Sequence, residues 1–158
     1  MSKFHPGSGS SAIKDHLKAP FSDYQWRLES IELILAELAE HSNNGAIILA
    51  EGKRDIISLK KLGINGPIEL VTQSPLTEIS ERVASEKRRV IILTDWDRRG
   101  NILAAKLSED LVYLGADVDM QLRDKLSSLV KKEIKDVESL YTYIIKLRKI
   151  VTGDQIDI

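Results

Sequence analysis

Val90-Ile91-Ile92-Leu93-Thr94-Asp95-Trp96-Asp97-Arg98-Arg99-Gly100 is the stretch that decides the fold. Its first four residues are apolar and three of them are β-branched. Such an uninterrupted run is the pattern of a strand buried on both faces of a parallel sheet. The two aspartates fall where the run stops. In open α/β sheets, ligands bind at the carboxyl ends of the strands. An Asp-x-Asp pair there, followed by two arginines and a glycine, points to a divalent-cation site that handles phosphate.

Working outward, the same alternation recurs. Ala46-Ile47-Ile48-Leu49-Ala50 is an apolar strand closed by Glu51-Gly52. A helix follows with Ile56, Leu59 and Leu62 on one side, closed by Gly63. Residues 68–71 form a short strand, and Ser74-Pro75 opens the next helix with Pro75 at its first position. The decisive strand spans 89–94. The helix after it buries Leu103, Leu107, Leu111 and Leu114 and ends at Gly115. Residues 117–122 form a weaker fourth strand, and helices follow near 122–132 and 137–149. In front of the sheet, Leu28, Ile31, Leu35 and Leu38 recur on one face of a helix, with Ser22 as N-cap and Gln25 at capping-box spacing. The expected fold is α/β: a Rossmann-like parallel sheet of about four strands, order 2-1-3-4, with helices on both faces. Residues 1–21 are expected as a mobile tail, 22–150 as one domain with its motif-bearing core at 45–122, and 151–158 as a C-terminal tail.

Composition narrows the chemistry. The 158 residues are 42% apolar and 30% charged, enough for a buried core, and the net charge is -1. No global basic field announces a polyanion partner, although local patches still bind one. With no cysteine, disulfides, thiolate catalysis and Cys-ligated zinc are excluded. No apolar run is long enough to span a membrane, and no signal-peptide core opens the chain. The expected setting is cytoplasmic.

If strands one and three are neighbours, their acidic ends meet at the switch point and Glu51, Asp95 and Asp97 converge. Like charges raise one another's pKa unless something positive sits among them. Mg²⁺ is a hard cation that takes one or two carboxylates plus water and phosphate, and Mn²⁺ is its usual substitute. Asp95 and Asp97 point the same way off an extended or turning backbone and can share one ion. Glu51 stands either among the ligands or beside them as a general acid or base. Lys53 and Arg54 follow Glu51 at one helix N-terminus, and Arg98 and Arg99 follow the aspartates at another, where phosphate is favoured. Gly52 and Gly100 let the backbone approach a phosphate closely. Trp96 either packs beneath the loop or offers a stacking face to a base.

Glu51-Gly52-Lys53-Arg54-Asp55 after one apolar strand, and Asp95-Trp96-Asp97-Arg98-Arg99-Gly100 after another, resemble the Toprim domain. That domain is shared by topoisomerases, bacterial-type primases, recombination-repair proteins and the ribonuclease that matures 5S ribosomal RNA. The resemblance covers roughly residues 45–122 and is nearest to the small stand-alone members. It implies Glu51 as general acid or base, Asp95 and Asp97 as Mg²⁺ ligands, and Asp55 as the acid that follows the glutamate. It also implies a nucleic-acid substrate, DNA or RNA, with nuclease or processing activity. Arg99 stands where topoisomerases carry a third acid. Neither their tyrosine-bearing domain nor the accessory domains of primases is evident, so complete topoisomerase or primase activity is not expected from this chain alone.

Three other functions compete. A Toprim module that binds nucleic acid or a larger protein without turnover would use the leading and C-terminal helices as docking faces. A haloacid-dehalogenase-type phosphatase would make Asp95 a covalent nucleophile and leave Glu51 idle. A receiver-like signalling domain would need an acidic pair after the first strand, which is not evident.

Overall fold

The computed structural model describes residues 17–153. The expected N-terminal tail and most of the expected C-terminal tail therefore lie outside the described residues. Among the described residues, six helices and four strands follow in the order α1 (Phe21–Asn43), β1 (Ile47–Ala50), α2 (Lys53–Lys61), β2 (Ile68–Leu70), α3 (Leu76–Ser85), β3 (Val90–Ile92), α4 (Arg98–Tyr113), β4 (Val118–Asp119), α5 (Gln121–Val130) and α6 (Leu140–Thr152). The sheet is parallel, in the order β2-β1-β3-β4. The order expected from the sequence is the order found.

Strand alternation divides the core. Ile48, Ile91 and Leu93 face the layer made by α1, α2, α5 and α6. Ile47, Leu49, Val90 and Ile92 face α3 and α4. Both sets are fully or almost fully buried, as period-two side chains of a doubly covered sheet must be. α1 packs against α5 and α6 and buries Leu28, Ile31, Leu35 and Leu38 in the same core, so the leading helix belongs to the fold rather than standing apart from it.

The element ends differ from expectation for local reasons. α1 begins at Phe21, with Pro20 at the cap position, and the Asp23 N–H donates to the Pro20 carbonyl at 3.0 Å. Ser22 therefore lies inside the first turn and makes no cap. Pro75 likewise stands just outside α3, where its φ of -57° and ψ of 142° orient its carbonyl toward the helix. β4 is shorter than expected because the Asp119 carboxylate turns to cap α5, accepting from the Leu122 N–H at 3.1 Å. Leu114 was expected in the core and is 42% exposed, since α4 buries Ala104, Leu107 and Leu111 instead. Arg89, part of a basic run expected to be solvated, bridges Asp117 and Asp119 and ties the start of β3 to β4.

β3 also ends early. Leu93 still donates to the Leu49 carbonyl, and then the ladder stops, although Leu93 and Thr94 remain buried. What replaces the ladder at this tip positions the candidate site.

Candidate metal and phosphate site

The first side chain past β1 takes over where the sheet's own hydrogen bonds end. Glu51 Oε2 accepts the Asp95 N–H at 2.8 Å, so the tips of β1 and β3 are joined by a carboxylate instead of a carbonyl. Glu51 is fixed in turn by its main chain. Asp55, in the first turn of α2, accepts the Glu51 and Gly52 N–H groups on Oδ2 at 3.2 and 3.1 Å. The Glu51 carbonyl accepts from the Thr72 hydroxyl at 2.6 Å. The Asp55 side chain is thus a helix-capping group, which is a structural reason for an acid four residues after the glutamate. Burial holds its carboxyl above the ordinary range, helped by the Glu51 and Glu138 charges and opposed by the two N–H bonds.

Asp95 sits half-buried opposite. Its Oδ1 accepts the Val137 N–H at 2.9 Å. Its carboxyl is pushed up to about 7, first by burial and then by the neighbouring Asp55, Glu51 and Asp136 charges, against the pull of the Val137 bond. Trp96 is fixed beneath the same loop. Its indole N–H donates to the Ile134 carbonyl at 2.7 Å, its main-chain N–H to the Lys135 carbonyl at 3.1 Å, and only 7% of it is exposed. Of its two expected roles, the structure shows packing. Asp97 is the N-cap of α4, its Oδ1 accepting the Gly100 N–H at 2.7 Å.

The two glycines differ. A Cβ on Gly100 would lie 1.8 Å from the Asp95 carbonyl oxygen. Glycine is needed there so that α4 can press against the Asp95 main chain, a packing reason beside the approach to phosphate expected from the sequence. The Thr94 hydroxyl closes the same contact by donating to the Gly100 carbonyl at 2.8 Å. A Cβ on Gly52 meets nothing within 4 Å, in an extended backbone that alanine also adopts.

The expected residues are therefore brought together in part. Glu51, Gly52, Lys53, Arg54, Asp55, Asp95 and Arg99 line one open cleft of about 510 Å³, with Thr72 and Glu138. Asp97, Arg98 and Gly100 do not line it. Asp95 and Asp97 were expected to point the same way off an extended or turning backbone; the chain has left the sheet by then, and Asp97 turns to cap α4 while Asp95 faces the cleft. Arg54 pairs with Glu138 at 3.4 Å, an exposed contact of small energetic weight.

The sequence reading missed a side chain on α5. Arg123 is 4% exposed. Its Nε donates to the Thr94 carbonyl at 2.9 Å, and one terminal nitrogen donates to the Asp95 carbonyl and to Asn101 Oδ1. Burial holds its guanidinium below the usual range, while Asp124, Glu51, Asp95 and Asp97 act the other way. The signal was present in the sequence: Arg123 falls on the face of α5 that Leu122, Leu126 and Val130 bury, and a charge there calls for a partner. Val137 and Glu138 left no such signal, since they join the site through a turn.

Among the described residues, no group of three or more His, Asp or Glu side chains encloses a point where a metal ion would sit. The donors nonetheless suit a hard cation of modest demand. Glu51 and Asp95 each commit one oxygen to a main-chain N–H, and the other receives no hydrogen bond from the described residues. Mg²⁺ needs only one or two carboxylates when water and phosphate supply the rest.

A parallel 2-1-3-4 sheet with acidic strand tips at its switch point defines the class. The family model described as the Toprim domain matches residues 45–121. The UPF0292 protein of Methanosarcina acetivorans is 58% identical over 125 residues, covering 79% of this chain and 87% of that protein. That of Pyrococcus abyssi is 40% identical over 124 residues, 78% of this chain and 91% of that protein. A solved structure titled a putative protein from Aquifex aeolicus superposes with a TM-score of 0.58 at 28% identity, over 68% of this chain and 94% of that one. The chain is a Toprim-domain protein and belongs to the UPF0292 family.

Proposed function

We propose that the cleft at the tips of β1 and β3 binds Mg²⁺, or Mn²⁺ in its place, and handles phosphodiesters of nucleic acid as a nuclease or processing factor. One observation carries the proposal. A pair of acids joined across the sheet, Glu51 and Asp95, shares a cleft with Lys53, Arg54 and Arg99. Anionic and cationic walls in one cleft suit a metal-bridged phosphate better than either ligand alone.

Asp95 and Glu51 would hold the ion, with Asp97 beyond the cleft wall adding negative potential. When bound, the ion would neutralise charge developing on a phosphodiester oxygen. Lys53, Arg54 and Arg99 would bind and orient the backbone phosphates, and Gly52 would let them approach the main chain. Alternatively, with the ion on Asp95 alone, the Glu51 oxygen not bonded to the Asp95 N–H would hold or deliver a proton. The described helices include none long and apolar enough to cross a membrane, and we place this work in the cytoplasm.

Binding without turnover is the second reading. It is favoured by the absence, among the described residues, of three acids around one point. Incubating the protein with structured RNA, single-stranded DNA and supercoiled DNA, under Mg²⁺, Mn²⁺ or chelator, decides between them. Metal-dependent cleavage that Asp95→Asn abolishes supports catalysis. Binding with no cleavage under any metal selects the module, and neither binding nor cleavage refutes both.

A further inference from the structure

Arg123 belongs to none of the motifs and lies beyond the segment that the Toprim model matches. It nonetheless reaches the tip of β3 from behind. The carbonyls of Thr94 and Asp95 stand past the last sheet residue, and the guanidinium bonds both of them. Asn101, on the exposed side of α4, orients the same terminal nitrogen from a third direction at 2.8 Å. The fork therefore spans the β3 tip, α4 and α5. Its nearest carboxylate contact is a 3.9 Å approach to Asp124, while Glu51, Asp95 and Asp97 all act on its charge. A lysine has the charge and three donors, but all on one nitrogen, so it cannot reproduce a planar fork whose Nε and terminal nitrogen reach acceptors at separate points.

We infer that Arg123 is the positioning residue of the acidic site. It holds the main chain at Thr94–Asp95 so that the Asp95 carboxylate stays in the cleft beside Glu51. It also provides a resident positive charge beside the Glu51 and Asp95 carboxylates before any cation arrives. The inference rests on the proposed cation site, and it assigns to α5 a share in building it.

The test is Mn²⁺ affinity, read by calorimetry and by the electron paramagnetic resonance of bound Mn²⁺, in four forms of the full chain. These are the wild type, Arg123→Lys, Asn101→Ala and Leu147→Ala. The last removes a buried side chain on α6, remote from the cleft, and reports what general destabilisation does. Supporting residues of metal ligands typically govern affinity by about 10- to 100-fold. Arg123→Lys should therefore weaken Mn²⁺ binding at least about tenfold, Asn101→Ala should weaken it less, and Leu147→Ala should leave it unchanged. A folded Arg123→Lys protein with wild-type affinity overturns the inference, as does an equal loss in Leu147→Ala. Should Arg123→Lys fail to fold, Asn101→Ala decides, and wild-type affinity there overturns the inference. If the wild type itself binds no Mn²⁺, the reading of the cleft falls and takes the inference with it.

Discussion

Asp95→Asn should make the protein more stable at pH 8 while removing its cation site. In the folded chain the Asp95 carboxyl is pushed from 3.8 up to about 7 by burial and acidic neighbours. Between those two values the folded state binds more protons at this position than the unfolded state does. Stability therefore falls as pH rises from about 4 to about 7, and levels off above. At full weight a rise of that size corresponds to about 4 kcal/mol. The carboxylate is only half-buried and is screened by solvent, so about 1–2 kcal/mol is the expected share. Asparagine keeps the oxygen that accepts from Val137 and carries no charge. Urea denaturation at pH 5 and pH 8, without divalent metal, should show wild-type stability falling between the two. The variant should fall less, by about 1 kcal/mol, since part of the loss lies below pH 5, and should be the more stable form at pH 8. Saturating Mn²⁺ should stabilise the wild type and not the variant, since only a state that binds ligand gains. Identical pH slopes for the two proteins would refute the electrostatic reasoning.

Three further outcomes follow from the same geometry. Gly100→Ala forces a methyl into the Asp95 carbonyl, and thermal or urea unfolding should show a loss of about 2–3 kcal/mol or more. Gly52→Ala meets nothing, so stability should change by less than about 0.5 kcal/mol, while filter binding should show weaker nucleic-acid affinity if phosphate approaches that main chain. Trp96→Phe deprives the Ile134 carbonyl of its donor, and should cost about 1–2 kcal/mol in denaturant titration.

How much of this was legible depended on whether a residue's role is local. The sheet was readable because Ile47 to Ala50 and Val90 to Leu93 are unbroken apolar runs, the first followed at once by Glu51-Gly52 and the second, after Thr94, by Asp95 with Gly100 further on. The meeting of Glu51 with the Asp95 loop followed from strand order alone. Element ends were less legible. A proline carbonyl at position 20 and an aspartate side chain at position 119 set them, and each competes with an equally plausible pattern nearby. The division of labour in Asp95-Trp96-Asp97 was hidden because the backbone turns between them. One aspartate faces the cleft and the other caps α4. Arg123, Val137 and Glu138 act from 22 to 87 residues away from the site groups they touch or face, through contacts that no local spacing encodes.

The central claim is that Glu51 and Asp95, joined across the tips of β1 and β3, make a single divalent-cation site. The direct measurement is calorimetric titration of Mn²⁺ into the wild-type chain and into Asp95→Asn at pH 8, with circular dichroism confirming that both are folded. One saturable site in the wild type, absent from the variant, is the predicted result. No saturable binding by the wild type, or binding that the variant retains in full, contradicts the account.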